Sequence, residues 1–422
     1  MTARVLSRLS LAGLCATLVG NGIGRFAFVA LMPALITAGW FTKAEASTLG
    51  VATLVGYVLG AAVANPLAAR VPGAWLLRAA MLACALSFLC CAFDGAGLAW
   101  VAAWRAAAGF GGAILMVLPA SMVLPRQEAS VRARVSGVVF SGIGVGAALS
   151  GFLVPLLVAL RGDSPGHGVA MAWLGMGLLC LVLTALAWSA WPDEALAARR
   201  EAAASPLPRE LRATVALLVL AHGLNAIGYL AHTLFLPDYV VRELGHPLSQ
   251  GGFYWSMFGL GAALGPMVAG ALADAFGLRR CLLAGLLLKA ASAILPVAST
   301  SAAALLASSL LMGLCTPGVV TIVSAYALQR VGAEHHARAW GLATAGFALA
   351  QASGGAAMAF AATRLDSYQP LFCASALALV GATACIVLIR DHAGAMDSSE
   401  SPEPEVISDP SLEHAVVAAP HP

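Results

Sequence analysis

The sequence predicts an all-α membrane protein of twelve transmembrane helices, built as two parallel six-helix repeats. Three observations predict it. Of 422 residues, 60% are hydrophobic and 10% charged, with a mean hydropathy of +0.87, whereas a soluble domain carries about 25% charged residues. Apolar runs long enough to cross ~30 Å of hydrocarbon recur along almost the whole chain. Features of the first half also return in the second at a nearly constant spacing.

Taken in order, the first run covers residues 9–36. Arg4 and Arg8 precede it as in a signal peptide, but the run continues well past a short h-region, and no clear small-residue cleavage site follows. A retained first helix is therefore expected. Further spans are expected at 46–68, 75–93, 98–124, 135–160 and 169–191, completing a first half over 1–192. Charge alone (Arg126, Glu128, Arg132, Arg134) marks the joint between the fourth and fifth spans. Residues 193–212 (DEALAARREAAASPLPRELR) form a long charged linker at mid-chain. The second half, 213–390, holds spans at 213–239, 251–273, 278–298, 302–328, 339–362 and 371–389. The tail, 391–422, is acidic and rich in Ser and Pro, without a core-forming pattern, and is expected to be a disordered, solubilising extension.

Charge placement orients the spans. With a cytoplasmic N-terminus, sixteen Lys and Arg residues fall on inside segments and four on outside loops. The positive-inside rule then puts both termini in the cytoplasm. Nine cysteines are scattered without a C-x-x-C or a His/Cys metal spacing, so they are expected to pack as small apolar residues, with no metal or cofactor. The glycine patterns Gly142, Gly144, Gly146 and Gly259, Gly261, Gly265 permit close helix approach. No Gly-Lys-Ser/Thr follows them, so none is a phosphate-binding loop.

The most informative stretch is 20–33 (GNGIGRFAFVALMP), which places Arg25 deep in the first span with no acid nearby. Asn21, Ile23, Gly24 and Pro33 recur 204 positions later as Asn225, Ile227, Gly228 and Pro237, while Tyr229 stands at the position of Arg25. Arg134 and Arg338 pair at the same offset. Two parallel repeats of this kind form transporters whose substrate site lies between the halves at mid-membrane.

Several motifs carry a resemblance to a known family. Residues 270–280 (GALADAFGLRR) resemble the G-x-L-A-D-x-x-G-x-R-R loop of the major facilitator superfamily, between spans eight and nine. In the first half the matching loop, 65–70 (NPLAAR), has Ala69 in place of the acid. Residues 104–113 (WRAAAGFGGA) resemble the fourth-helix R-x-x-x-G-x-G motif, and 142–155 (GIGVGAALSGFLVP) loosely resemble the fifth-helix motif of exchangers. The opening G-x-G-R-F-A-x-x-x-L-M-P and the G-Y-x-L-G-A at 56–61 are similar to the YbfB/YjiJ-type branch. The resemblance implies a bacterial inner-membrane secondary transporter, not an enzyme, whose halves rock around a central site lined by helices one, four, seven and ten. Its expected partners are a small-molecule substrate, possible co-transported protons and the lipid bilayer, with no nucleic acid; it is expected to be a monomer.

On a wheel at about 100° per residue, Asn21, Arg25, Phe28 and Met32 share one face of the first helix, as do His222, Asn225, Tyr229 and His232 on the seventh. A charged side chain at the bilayer centre is costly and normally faces a cavity or a partner. Except for Met32, these residues are the expected substrate site, with Arg25 as anion anchor; alternatively, the Asn and His residues only bond between helices. Arg105 on the fourth helix either joins substrate or proton handling, or pairs with backbone carbonyls of a neighbouring helix. Lys289, midway along the ninth, is expected to be buried in a structural role. No Asp or Glu lies at a span centre, which argues against strongly cationic substrates. If protons are coupled, His222 or His232 is the expected carrier, then Asp238; packed neutral histidines are the alternative. Asp274, Arg279 and Arg280 are expected to form an inner gate with Arg70, Arg134 and Arg338. The favoured substrate is a small organic anion or polar amphiphile. A hydrophobic drug/proton antiporter is the rival within the class, and a transporter-like sensor or scaffold the rival outside it.

Overall fold

The computed structural model describes residues 5–160, 164–192 and 207–389. The linker stretch 193–206 and the tail from 390 lie outside the described residues. Helices long and apolar enough to cross a membrane are Arg8–Thr37 (α1), Lys43–Ala68 (α2), Gly73–Cys90 (α3), Leu98–Arg126 (α4), Ala129–Ala159 (α5) and Pro165–Trp188 (α6). In the second half they are Arg209–Glu243 (α7), Leu248–Phe276 (α8), Leu278–Ala298 (α9) and Gln369–Leu388 (α12), together with a segment of 61 residues, Ala302–Ala362. Unbroken, that segment would extend about 90 Å, three times the hydrocarbon core. Gly332, at φ 75° and ψ 166°, breaks it into α10 (302–331) and α11 (333–362). A side chain would be strained at that φ. Among the described residues the count is therefore twelve.

Local chemistry sets the ends. Thr42 caps α2 in a reciprocal box, with the Glu45 carboxylate accepting from the Thr42 N–H at 2.8 Å, a device that satisfies two orphan donors. Helix α7 starts at Arg209, inside the stretch expected to be linker, because Pro208 pre-sets its entry and Glu210 meets the positive end of the helix dipole. Ser301 caps α10 through the Ala304 N–H.

Two helices are irregular at matching places. Helix α1 is α-helical over Arg8–Thr17, π-helical over Leu18–Ile23, turns at 24–26 and resumes at Ala27–Thr37. Helix α7 runs from Arg209 to Ile227, turns at 228–229 and resumes at Leu230–Asp238. The breaks fall at repeat-equivalent positions, Gly24–Arg25 and Gly228–Tyr229. Discontinuous helices at transporter midplanes frequently mark binding sites. Helix α1 is also the most enclosed: 83% of its most apolar stretch is buried, against 33–61% in the other helices. Elsewhere Phe152, Leu178, Leu186 and Leu377 are more than 60% exposed, as expected of surface that meets lipid.

The halves are locked together along α5 and α8. Gly144 and Gly259 lie backbone against backbone, so that a Cβ on either would strike the other helix. Ser256 donates to the Ala148 carbonyl at 2.8 Å across the same seam. Close approach through small residues is the usual basis of helix association in lipid.

Candidate functional site

Arg25 emerges at the break in α1, half-buried at the junction of the two halves. Its Nη2 donates to the Tyr229 hydroxyl at 3.1 Å. With the Gln351 amide oriented to suit both neighbours, its oxygen accepts from Arg25 Nη2 (2.7 Å) and Nη1 (3.0 Å), and its nitrogen donates to Tyr229 Oη (3.0 Å). The guanidinium carbon lies 5.0 Å from the ring centre of Phe26, 5.9 Å from that of Tyr57 and 5.8 Å from that of Tyr229. Phe26 packs in turn on Trp255 and Phe258 of α8, 5.6 and 6.0 Å between ring centres. No carboxylate pairs with Arg25 among the described residues.

Beside it lies a cavity of about 20 Å³ lined by Arg25, Phe28, Val29, Gly50, Thr53, Leu54, Thr233 and Leu234. That is room for about one water. The residues come from α1, α2 and α7, so both halves contribute.

Asn21 does not share this site. The π-helical turn and the break separate it from Arg25, so a regular wheel misplaces it: its Nδ2 donates to the Gly112 carbonyl of α4 at 3.0 Å. Arg105 is fully buried, donating through Nη2 to the Gly24 carbonyl at 2.6 Å, while its Nε and Nη1 make no hydrogen bond. The rings of Phe28, Phe88 and Trp173 surround it at 5.1, 5.3 and 5.9 Å. Phe28 thus separates Arg105 from the cavity, and Arg105 holds the break of α1 from behind.

The second half shows a parallel arrangement. Lys289 of α9 is fully buried and donates to Asn225 Oδ1 at 2.8 Å, its Nζ 4.9 Å from the Tyr229 ring centre. His222 lies against Trp340 and Phe347, at 5.4 and 4.7 Å between ring centres. His232 shares a 2.8 Å hydrogen bond with Ser308 Oγ, which donates to the Ser292 carbonyl. Neither histidine bonds to Arg25.

Asp238 lies at the opposite end of α7 from Arg209, fully buried. Arg242 Nε bonds one of its oxygens at 2.9 Å and Tyr368 Oη donates to the other at 2.6 Å. Burial first, and then Asp238 beside it, hold the Tyr368 phenol well above its usual range, so it stays a donor. Glu243 accepts from Ser367 Oγ and the Tyr368 N–H at 2.9 and 2.8 Å. Lys43, from the other half, stands 4.1 Å from the Tyr368 ring centre and donates to the Leu365 carbonyl at 3.4 Å. This latch joins the halves at the end carrying the α1–α2 and α7–α8 loops.

At the other end Asp274 is exposed, as are Arg70, Arg134, Arg280 and Arg338. Arg279 turns onto its own half, donating to the Val387 and Ile389 carbonyls at 3.1 and 3.3 Å, where α12 ends.

Sequence reasoning missed Gln351, Tyr57, Tyr368 and Lys43. Gln351 had a signal, as the one amide in the eleventh span, and Tyr57 lay inside the G-Y-x-L-G-A motif. Tyr368 and Lys43 lie in or beside loops and had none.

Residues 17–387 match the family described as "Uncharacterised MFS-type transporter YbfB". Among solved structures, the chain is similar to a D-xylose–proton symporter, at 17% identity and TM-score 0.68 over 89% of this chain and 96% of that one. A mutant of the nucleoside transporter NupG matches at 12% identity and TM-score 0.69, over 90% and 100% of the two chains. A bacterial homologue of the human lysosomal transporter Spinster, inward-facing and occupied, matches at 16% and 0.67, over 89% and 93%. At these identities the likeness is one of fold. No curated protein matches the sequence.

Proposed function

The chain belongs to the family of MFS-type transporters described by YbfB, and from that premise we propose that it carries small organic anions by alternating access, with Arg25 as the anchor. One observation carries this reading. Both Nη atoms of Arg25 converge on one neutral amide oxygen, that of Gln351, and no carboxylate neutralises the charge among the described residues. Arginine's planar fork suits a carboxylate, and the Gln351 oxygen occupies the place where a substrate carboxylate would sit. Phe26, Tyr57 and Tyr229 around the guanidinium favour an anion with an apolar or aromatic body.

On the positive-inside orientation, the Lys43–Tyr368–Asp238 latch closes the outer end, and both termini of the inner-membrane protein are cytoplasmic. The halves then exchange contacts at the two ends as they rock, with Asp274 and the inner arginines engaging when the latch opens. Bistable packing of this kind underlies such transitions.

The test is thermal stabilisation of the purified protein by acetate, lactate and benzoate, against lipophilic cations as controls. A carboxylate should raise the melting temperature of the wild type and leave Arg25→Ala unmoved. Stabilisation by the cations alone would favour drug efflux, and equal stabilisation of both proteins by carboxylates would remove Arg25 from the site.

A further inference from the structure

Lys289 and Arg25 approach the same ring from two halves of the protein. The Lys289 Nζ is 4.9 Å from the Tyr229 centroid and the Arg25 guanidinium carbon 5.8 Å from it. Neither has a carboxylate partner among the described residues, and Lys289 is fully buried with Asn225 Oδ1 as its single acceptor. We propose that Lys289 carries the proton that accompanies the anion, being an ammonium while an anion sits on Arg25 and a neutral amine when the site is empty.

Among the described residues, the surroundings of Lys289 supply no compensating charge. From α7 it faces Asn225 and Tyr229, with His222 and His232 on the same helix. From α10 it faces the Cys315 thiol. The packed neighbours α8 and α12 bring Tyr254, Cys373 and Cys385 but no charged side chain along their membrane-crossing length, Asp274 lying at the exposed end of α8. Arginine keeps its proton in proteins, so an ammonium at Lys289 places a second cation against the Tyr229 ring that Arg25 also approaches, with no carboxylate partner for either among the described residues. Like charges and burial both disfavour that state. A substrate carboxylate provides the missing negative charge and reverses the balance. Protonation balances simply: the amine takes one proton from the water on the loading side, the anion and proton cross together, and both leave on the far side. The empty carrier returns with the neutral amine, and the cycle moves no net charge for a monocarboxylate.

This assignment rests on the anion reading of Arg25, and the experiment separates the two. Benzoate is titrated calorimetrically into the purified wild type at pH 8 in two buffers of different ionisation heat, which gives protons taken up per anion bound. Uptake approaching one proton is expected. In Lys289→Met binding should persist with no uptake, and its Kd should no longer vary with pH. Lys289→Arg, charged throughout, should likewise bind without uptake, which covers a Met variant that does not fold. Binding without proton uptake in the wild type, or undiminished uptake in either variant, overturns the role of Lys289 while leaving Arg25 in place. Absence of benzoate binding to the wild type overturns the anion reading and this one with it.

Discussion

Arg25 and Tyr229 are repeat-equivalent residues that bond to each other: Nη2 of the arginine donates to the tyrosine hydroxyl at 3.1 Å across 204 positions of sequence. In a two-fold repeat, most equivalent positions lie on opposite sides of the molecule. Mates can touch only near the axis that relates the halves, which is where transporters of this architecture hold their substrate. Both residues also stand at helix breaks, where the backbone can rearrange without unwinding a regular ladder.

Gln351→Glu should place a permanent carboxylate on Arg25. A charge-assisted pair is about twice as strong as a neutral bond, so the ligand-free protein should melt several degrees higher and lose stabilisation by benzoate. Thermal shift with and without benzoate checks both. A variant that binds benzoate as the wild type does would show that the Gln351 oxygen does not occupy the carboxylate position.

Tyr229→Phe should keep the ring against Lys289 and remove the hydroxyl that steadies Arg25 and Gln351. A hydrogen bond to a charged group is worth about 1.5–3 kcal/mol, so affinity for carboxylates should fall roughly ten- to one-hundred-fold by calorimetry.

The Asp238–Tyr368 bond predicts a conformational effect. Hydrogen bonds to a charged group contribute about 1.5–3 kcal/mol, enough to shift a two-state population by roughly ten- to one-hundred-fold. In Tyr368→Phe, a cysteine placed at Thr53 in a cysteine-free background should react faster with an impermeant thiol reagent added on the latch side. An unchanged labelling rate would mean that the latch does not hold that end shut.

Arg105 offers a contrast between volume and charge. Arg105→Ala removes the packing among Phe28, Phe88 and Trp173 and should cost about 3 kcal/mol, in the range of large-to-small core changes. Arg105→Met fills much of that space without a buried charge, and replacing buried charges by apolar groups is often neutral or stabilising. Its melting temperature should stay within a few degrees of the wild type.

The sequence by itself determined the twelve spans, the repeat and the presence of a charged Arg25 within an apolar span, because hydropathy and an uncompensated charge are local properties that the bilayer enforces wherever they occur. Gly332 shows the same locality: one glycine divides a segment of 61 residues that hydropathy already separated at the intervening charges. The wheel failed at Asn21 because a π-helical turn and a break, which carry no hydropathy signal, lie between it and Arg25. Only the tertiary structure decided that Gln351 faces Arg25, that Lys289 shares Tyr229 with it, and that Tyr368 and Lys43 bring the two halves into contact at one end. Those contacts join residues 60 to 326 positions apart. They depend on how helices distant in sequence pack against one another, within a half for Lys289 and Tyr229 and across the halves for the others, which no periodicity along a single helix records.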